Sequence, residues 1–99
     1  MIRGSTPTFT FLLPSCAEDF SEINIAFMQK ELTVLDFPKD RLVLNGNTVS
    51  LTMTEQESLS FEDGIPTEVQ IRLVKLNGVV LLSEIRRIHI GRRYPSTQI

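Results

Sequence analysis

Ninety-nine residues, 41% apolar and 22% charged with a net charge of −2, describe a single small globular domain whose core is just large enough to fold alone. No apolar run approaches the ~20 residues of a membrane span, and the first seven residues hold no continuous apolar signal core. The lone Cys16 excludes an internal disulfide and suits synthesis in a reducing cytoplasm.

In chain order, residues 1–7 read as an arm ending at Pro7. Residues 8–13 alternate, with Phe9, Phe11 and Leu13 on one face and Thr8 and Thr10 on the other, and Pro14 stops this first strand. After a loop over 15–20, Ile23, Ile25 and Phe27 repeat the period of two. A third strand follows over 31–37, with either Leu32 and Val34 or Thr33, Leu35 and Phe37 facing inward. Pro38-Lys39-Asp40 makes a turn. A short fourth strand over 42–44 and a fifth over 48–53 flank Asn45-Gly46-Asn47, so 42–53 reads as a tight hairpin with Val49, Leu51 and Met53 inward.

Thr54-Glu55-Gln56-Glu57 fits a capping box: the threonine caps free amides while the glutamate reaches back three residues. It predicts a helical turn over 55–61 that returns Leu59 and Phe61 to the core. The strongest local signal is Asn77-Gly78, set between alternating runs over 67–76 and 79–90. Asn-Gly supplies the two positive-φ residues of a type I′ hairpin turn, which pairs Leu76 with Val79 and Leu73 with Leu82. From Leu82 the alternation breaks toward Ile85, Ile88 and Ile90, which predicts a bulge or bend over 83–87. Val74, Leu76, Val80 and Leu81 exceed what one buried face needs, so either a neighbouring chain covers them or they are ordinary surface.

Short strands with turns every 8–12 residues predict an all-β fold: an antiparallel, immunoglobulin-like β-sandwich of six to eight short strands with one helical turn. The arm spans 1–7, the sandwich 8–91 and a tail 92–99. A small barrel is the competing architecture. One Cys and no Trp exclude the disulfide-and-tryptophan core of antibody domains, though not the broader sandwich.

No catalytic constellation stands out. His89, the only histidine, reads as an exposed strand residue, and Cys16 lacks a CxxC partner. Asp36, Asp40, Glu55, Glu57, Glu62 and Asp63 match no calcium-loop or paired-acid motif and read as turn and cap residues. No Gly-rich loop leads from a strand into a helix. The expectation is a protein that is not an enzyme, with no cofactor and no metal.

Charge is unevenly spread. Residues 1–66 carry four Lys/Arg against ten Asp/Glu, a balance of −6, and residues 67–99 carry six against two, a balance of +4. Arg86, Arg87, His89, Arg92 and Arg93 cluster late in the chain. They read either as a charged sheet edge kept soluble or as a contact surface. Nucleic-acid binding is disfavoured: only Tyr94 lies near them to stack on a base, and the estimated pI is about 5.3.

Arg3-Gly4-Ser5-Thr6-Pro7-Thr8-Phe9-Thr10-Phe11 resembles the "RGTTPTHTF" opening of small phage and prophage proteins of gut Firmicutes. Residues 46–59 resemble their "GNTISVKLTQEETL" segment. Val69-Gln70-Ile71-Arg72-Leu73, Asn77-Gly78 and Ser83-Glu84-Ile85 look like their final hairpin. The layout is similar to the immunoglobulin-like N-terminal domain of phage baseplate upper proteins. The resemblance covers most of residues 3–91 and implies a virion structural or adaptor protein of the tail or baseplate, made in the bacterial cytoplasm and then carried in the particle. It implies contacts with other phage structural proteins and with copies of itself, and no membrane. The candidate contact residues are Arg86, Arg87, Arg92, Arg93 and Tyr94, with Ile2 and Arg3 of the arm. The alternative is a small regulatory or nucleic-acid-binding module using the same arginines.

Overall fold

The computed structural model describes residues 2, 4–62, 64–83 and 85–88. They form β1 (Thr8–Leu12), β2 (Phe20–Gln29), β3 (Leu32–Phe37), β4 (Val43–Asn45), β5 (Thr48–Thr52), α1 (Glu55–Leu59), β6 (Thr67–Lys75), β7 (Val80–Leu82) and β8 (Arg86–Ile88). Short 3-10 turns at Ala17–Asp19 and Lys39–Arg41 link the layers.

The long strands β2 and β6 are the spine. Their period of two places Ile23, Ile25 and Phe27 opposite Leu73, Ile71 and Val69, and all six are buried. β3 flanks β2, while β7 and β8 lie one after the other along the far side of β6. The second layer is β1-β5-β4, antiparallel throughout. The two layers enclose a core to which Leu13, Ala17, Phe20, Phe37, Val49, Leu51, Met53 and Phe61 also contribute. Phe27 is the aromatic hub, with ring centroids of Phe9, Phe37 and Phe61 at 5.5, 5.8 and 5.8 Å.

The fold is therefore a β-sandwich and not a closed barrel, since each layer ends in edge strands. Its strand order is immunoglobulin-like. With β1 taken as immunoglobulin strand B, the layers read B-E-D and C′-C-F-G. Among the described residues no strand occupies the place of strand A, beside β1.

The turns depart from expectation in an instructive way. Asn77-Gly78 does not form a two-residue I′ turn. The Gly78 amide donates to the Lys75 carbonyl (2.9 Å), the Lys75 amide donates to the Val79 carbonyl (2.8 Å), and positive φ falls on Gly78 but not on Asn77. This is a three-residue loop: a type I turn closed by a glycine bulge. One extra loop residue shifts the register, so Leu73 faces Leu81 instead of Leu82. The I′ geometry sits instead in the β2–β3 hairpin, where Lys30 (φ 53°) and Glu31 (φ 64°) join the paired Gln29 and Leu32. β3 is further adjusted by a bulge at Val34, after which Leu35 and Phe37 face inward.

The predicted irregularity over 83–87 is present. Pairing runs Leu73↔Leu81, then resumes at Val69↔Arg86, one residue out of step. Ser83 manages the break. Its amide donates to the Ile71 carbonyl (2.9 Å), its hydroxyl accepts from the Ile71 amide (2.8 Å), and its carbonyl accepts from Gln70 Nε2 (3.1 Å). The expected inward shift of Ile85 does not occur; Ile85 is exposed, and Arg86 and Ile88 stand opposite inward-facing Val69 and Thr67.

The capping box is complete, with Glu57 N–H donating to Thr54 Oγ1 (3.1 Å) and Thr54 N–H donating to Glu57 Oε1 (2.8 Å). Phe61 returns to the core, but Leu59 is only half-buried. The fully buried residue of α1 is Ser58, whose hydroxyl accepts from the Gly4 amide (3.0 Å) and donates to the Ser5 carbonyl (2.6 Å). The arm is thereby tied to α1.

Candidate functional site

The sequence places its candidate contact arginines after β6, and the structure puts two of them on one sheet edge. Arg86 and Arg87 are exposed on β8, opposite Val69 and Glu68. Directly opposed residues share a sheet face, so the bulge at Ser83 turns Arg86 to the side of buried Val69 and Arg87 to the outer side. Among the described residues neither makes an ion pair, whereas Arg41 pairs with Glu57 and Arg72 with Glu22. Arg3, Arg92, Arg93 and Tyr94 lie outside the described residues, as do His89 and Ile90. Ile2 is about half exposed at the head of the arm, and its carbonyl accepts the Ser5 amide.

The apolar surplus collects at the same edge. Leu81 turns in against the core and Val74 is half-buried, so these two are packed residues. Leu76, Val79, Val80, Leu82 and Ile85 are exposed, Leu76 by 72% and Leu82 by 62%. Among the described residues the β7 backbone is also open on its outer side. Its hydrogen bonds to β6 use Val79 and Ser83, and alternation along an antiparallel pair directs the N–H and C=O of Val80 and Leu82 away from β6. Open polar backbone combined with apolar side chains is a template for pairing with another strand.

Across the sandwich, β1 presents a second edge that is open among the described residues. The Leu13 amide donates to the Asn47 carbonyl, and the Met53 amide donates to the Pro7 carbonyl. Odd-numbered residues thus bond β5, and Thr8, Thr10 and Leu12 direct their backbone groups away from the layer. The outer face here is hydroxylic: Thr8 pairs with Thr52 (2.8 Å) and Thr10 with Ser50 (3.1 Å). Leu12 breaks that pattern and is 74% exposed.

Between these edges lies a groove of about 500 Å³. Phe11, Val69 and Ile71 line its apolar part, Thr10 and Leu12 the β1 rim, and Ser83 and Arg86 the opposite rim. Leu12 does not stand out in the sequence as a site residue, and Ser83 does so only as the start of the bend over 83–87. The signals were present: an apolar residue on the polar side of an alternating strand, and a serine at the phase break of the last hairpin.

Around α1 the charges are paired within the chain. Arg41 Nη1 and Nη2 donate to Glu57 Oε2 (2.6 Å) and Oε1 (2.8 Å), and the guanidinium lies 5.2 Å from the Phe37 ring centroid. The Arg41 hydrogen bonds, assisted by the Thr54 amide, hold the Glu57 carboxyl far below its ordinary value, at about 2, and Glu57 in turn raises Arg41. Nearby, buried Gln29 donates to the Glu62 carbonyl (3.1 Å) and Thr67 Oγ1 (2.9 Å) and accepts the Glu62 amide (2.9 Å). The carboxylates read as turn and cap residues include Glu57, which does cap α1, and Glu62, which pairs with Lys30 across the surface. Among the described residues no three His, Cys, Asp or Glu side chains gather as a metal-holding group, and no helix is long and apolar enough to cross a membrane.

No family model matches the chain, and neither a curated protein nor a solved structure matches it.

Proposed function

We propose that the protein is a structural or adaptor subunit of a phage or prophage particle, in the tail or baseplate region, acting by protein–protein contact and not by catalysis. The observation that carries the contact reading is the β7–β8 edge, where exposed Val80 and Leu82 coincide with a backbone edge, and with Arg86 and Arg87, that have no strand or ion-pair partner among the described residues. The particle setting is supported by the resemblance of three segments to phage and prophage structural proteins. Self-association is part of the reading, because the basic last part and acidic first part attract head to tail. Charge governs encounter and register, and the apolar side chains supply most of the affinity. Partners are other particle proteins and further copies of the chain, met first in the host cytoplasm.

The test is sedimentation of the native chain and of a variant with Arg86, Arg87, Arg92 and Arg93 replaced by serine, paired with filter binding to single-stranded and duplex DNA. The reading expects association that is weaker in the variant, most visibly at ~50 mM salt, where screening is weak. DNA binding with a steep salt dependence by a strict monomer supports the regulatory alternative instead.

A further inference from the structure

We infer that the groove beside β1 is a strand-acceptor site: it takes an extended segment of another protein chain, which adds to β1 as a fourth strand of the small layer and sets a carboxylate against Arg86. The inference deepens the contact reading above and rests on it, but it names a different edge and a definite ligand chemistry.

Topology gives the first argument. The layers read B-E-D against C′-C-F-G, and the immunoglobulin plan places strand A beside B. Here B is β1, and among the described residues its outer edge has no strand partner. The arm leading into β1 does not double back along it, because Gly4 and Ser5 are fastened to Ser58 of α1. The small layer is three strands wide and the facing layer four, counting β7 and β8 as one position along β6.

The chemistry of the groove gives the second. Backbone N–H and C=O groups of Thr8, Thr10 and Leu12 recur at the two-residue spacing that only another extended polypeptide matches. Apolar side chains of the incoming strand would face Phe11, Val69 and Ile71. Its alternate side chains would lie beside the hydroxyls of Thr8 and Thr10, which favours threonine or serine there.

Charge decides the rest. Arg86 lines the rim from the inward side of β8 and has no ion-pair partner among the described residues. An acidic residue at that end of the strand makes a charge-assisted bond, and a lysine there is repelled. The competing role for an inward arginine on an edge is a guard against unwanted pairing. The two roles differ in what happens when its charge is reversed.

The experiment uses the full chain and two capped synthetic heptapeptides of alternating valine and threonine, one ending in aspartate and one in lysine. Binding is followed by calorimetry and by amide hydrogen exchange. The expected result is preference for the acidic peptide by about ten-fold at ~50 mM salt, reversed in Arg86→Glu and weakened in Leu12→Asp, with exchange slowed at Thr8, Thr10 and Leu12. Both variants alter exposed side chains, and an unchanged denaturation midpoint verifies that they fold. The inference is overturned if neither peptide binds the folded chain at ~1 mM, a binding free energy of about −4 kcal/mol. Protection on β7 or β3 in place of β1 also overturns it, as does an acidic preference that survives Arg86→Glu. Aggregation of Arg86→Leu, with no peptide selectivity in either the native chain or Arg86→Glu, assigns the arginine as an edge guard and likewise ends it. Loss of peptide binding while sedimentation still shows association refutes the acceptor site and leaves the β7–β8 contact standing.

Discussion

Arg41 and Arg86 stand in very different surroundings. Arg41 is gripped by both oxygens of Glu57, which also caps α1, and it covers Phe37. Arg86 sits at a break in the sheet with no ion-pair partner among the described residues, beside a strand whose apolar side chains face solvent. At the α1 end the polar groups are matched within the chain, so the contacts there serve folding. At the β7–β8 edge hydrogen-bonding and apolar capacity have no partner among the described residues, and such an edge calls for either a guard or a partner. On the proposed reading, folding and contact fall in separable regions.

That separation can be broken or sharpened by substitution. The largest effect is expected at Gln29, whose amide group satisfies the Glu62 backbone on both sides and Thr67. Gln29→Leu unpairs the part-buried Glu62 backbone and takes one bond from buried Thr67, whose Oγ1 keeps its bond to the Ile65 carbonyl, and should cost about 3 kcal/mol, read as a lower urea midpoint with association of the remaining folded protein intact. An unchanged midpoint would remove the matched-group account.

Next is Thr54→Ala, which deletes one half of the capping box and should cost about 0.5–2 kcal/mol. The Arg41–Glu57 pair follows. The folded value of Glu57, about 2, lies below its ordinary 4.5. The pair therefore stabilises the fold fully above about pH 4.5, and its contribution fades as pH falls toward 2. Because Arg41 is 41% exposed, solvent screening holds the effect to about 1 kcal/mol. Arg41→Ala should flatten the acid limb of the stability curve between these values; a limb identical to the native one would show that the pair contributes nothing.

A gain is expected at the β2–β3 turn. Two L-residues at positive φ are strained there, so Glu31→Gly should raise stability by up to about 1 kcal/mol in thermal melts. The smallest effect on folding belongs to the open edge. Val80→Lys with Leu82→Lys should shift stability by no more than about 0.5 kcal/mol while removing association. A large loss of stability there would merge the two regions into one.

The architecture was legible where one physical rule acts alone. Alternation at Ile23, Ile25 and Phe27 and at Val69, Ile71 and Leu73 marked the spine, and Thr54–Glu57 declared the cap because both partners lie within one turn. The Asn77-Gly78 turn was legible as a turn but not as a type. A glycine at positive φ suits both a two-residue loop and a three-residue loop, and one residue of difference flips every later side chain. Lys30-Glu31 carries no glycine or asparagine to announce its positive φ. Ser58 is buried only because the arm, more than fifty residues earlier, supplies its partners. For the candidate site, the basic edge was readable at Arg86 and Arg87. The groove was not, since it joins Leu12 of β1 to Ser83 and Arg86 across two layers.

Sedimentation velocity of the native chain and the Val80→Lys/Leu82→Lys variant, at matched folded fraction, tests the separation most directly. The account predicts that the native chain associates with rising concentration, less so at ~500 mM than at ~50 mM salt, and that the variant stays monomeric with an unchanged unfolding midpoint. Association that persists in the folded variant, or a native chain that is monomeric throughout and binds DNA with a steep salt dependence, would contradict it.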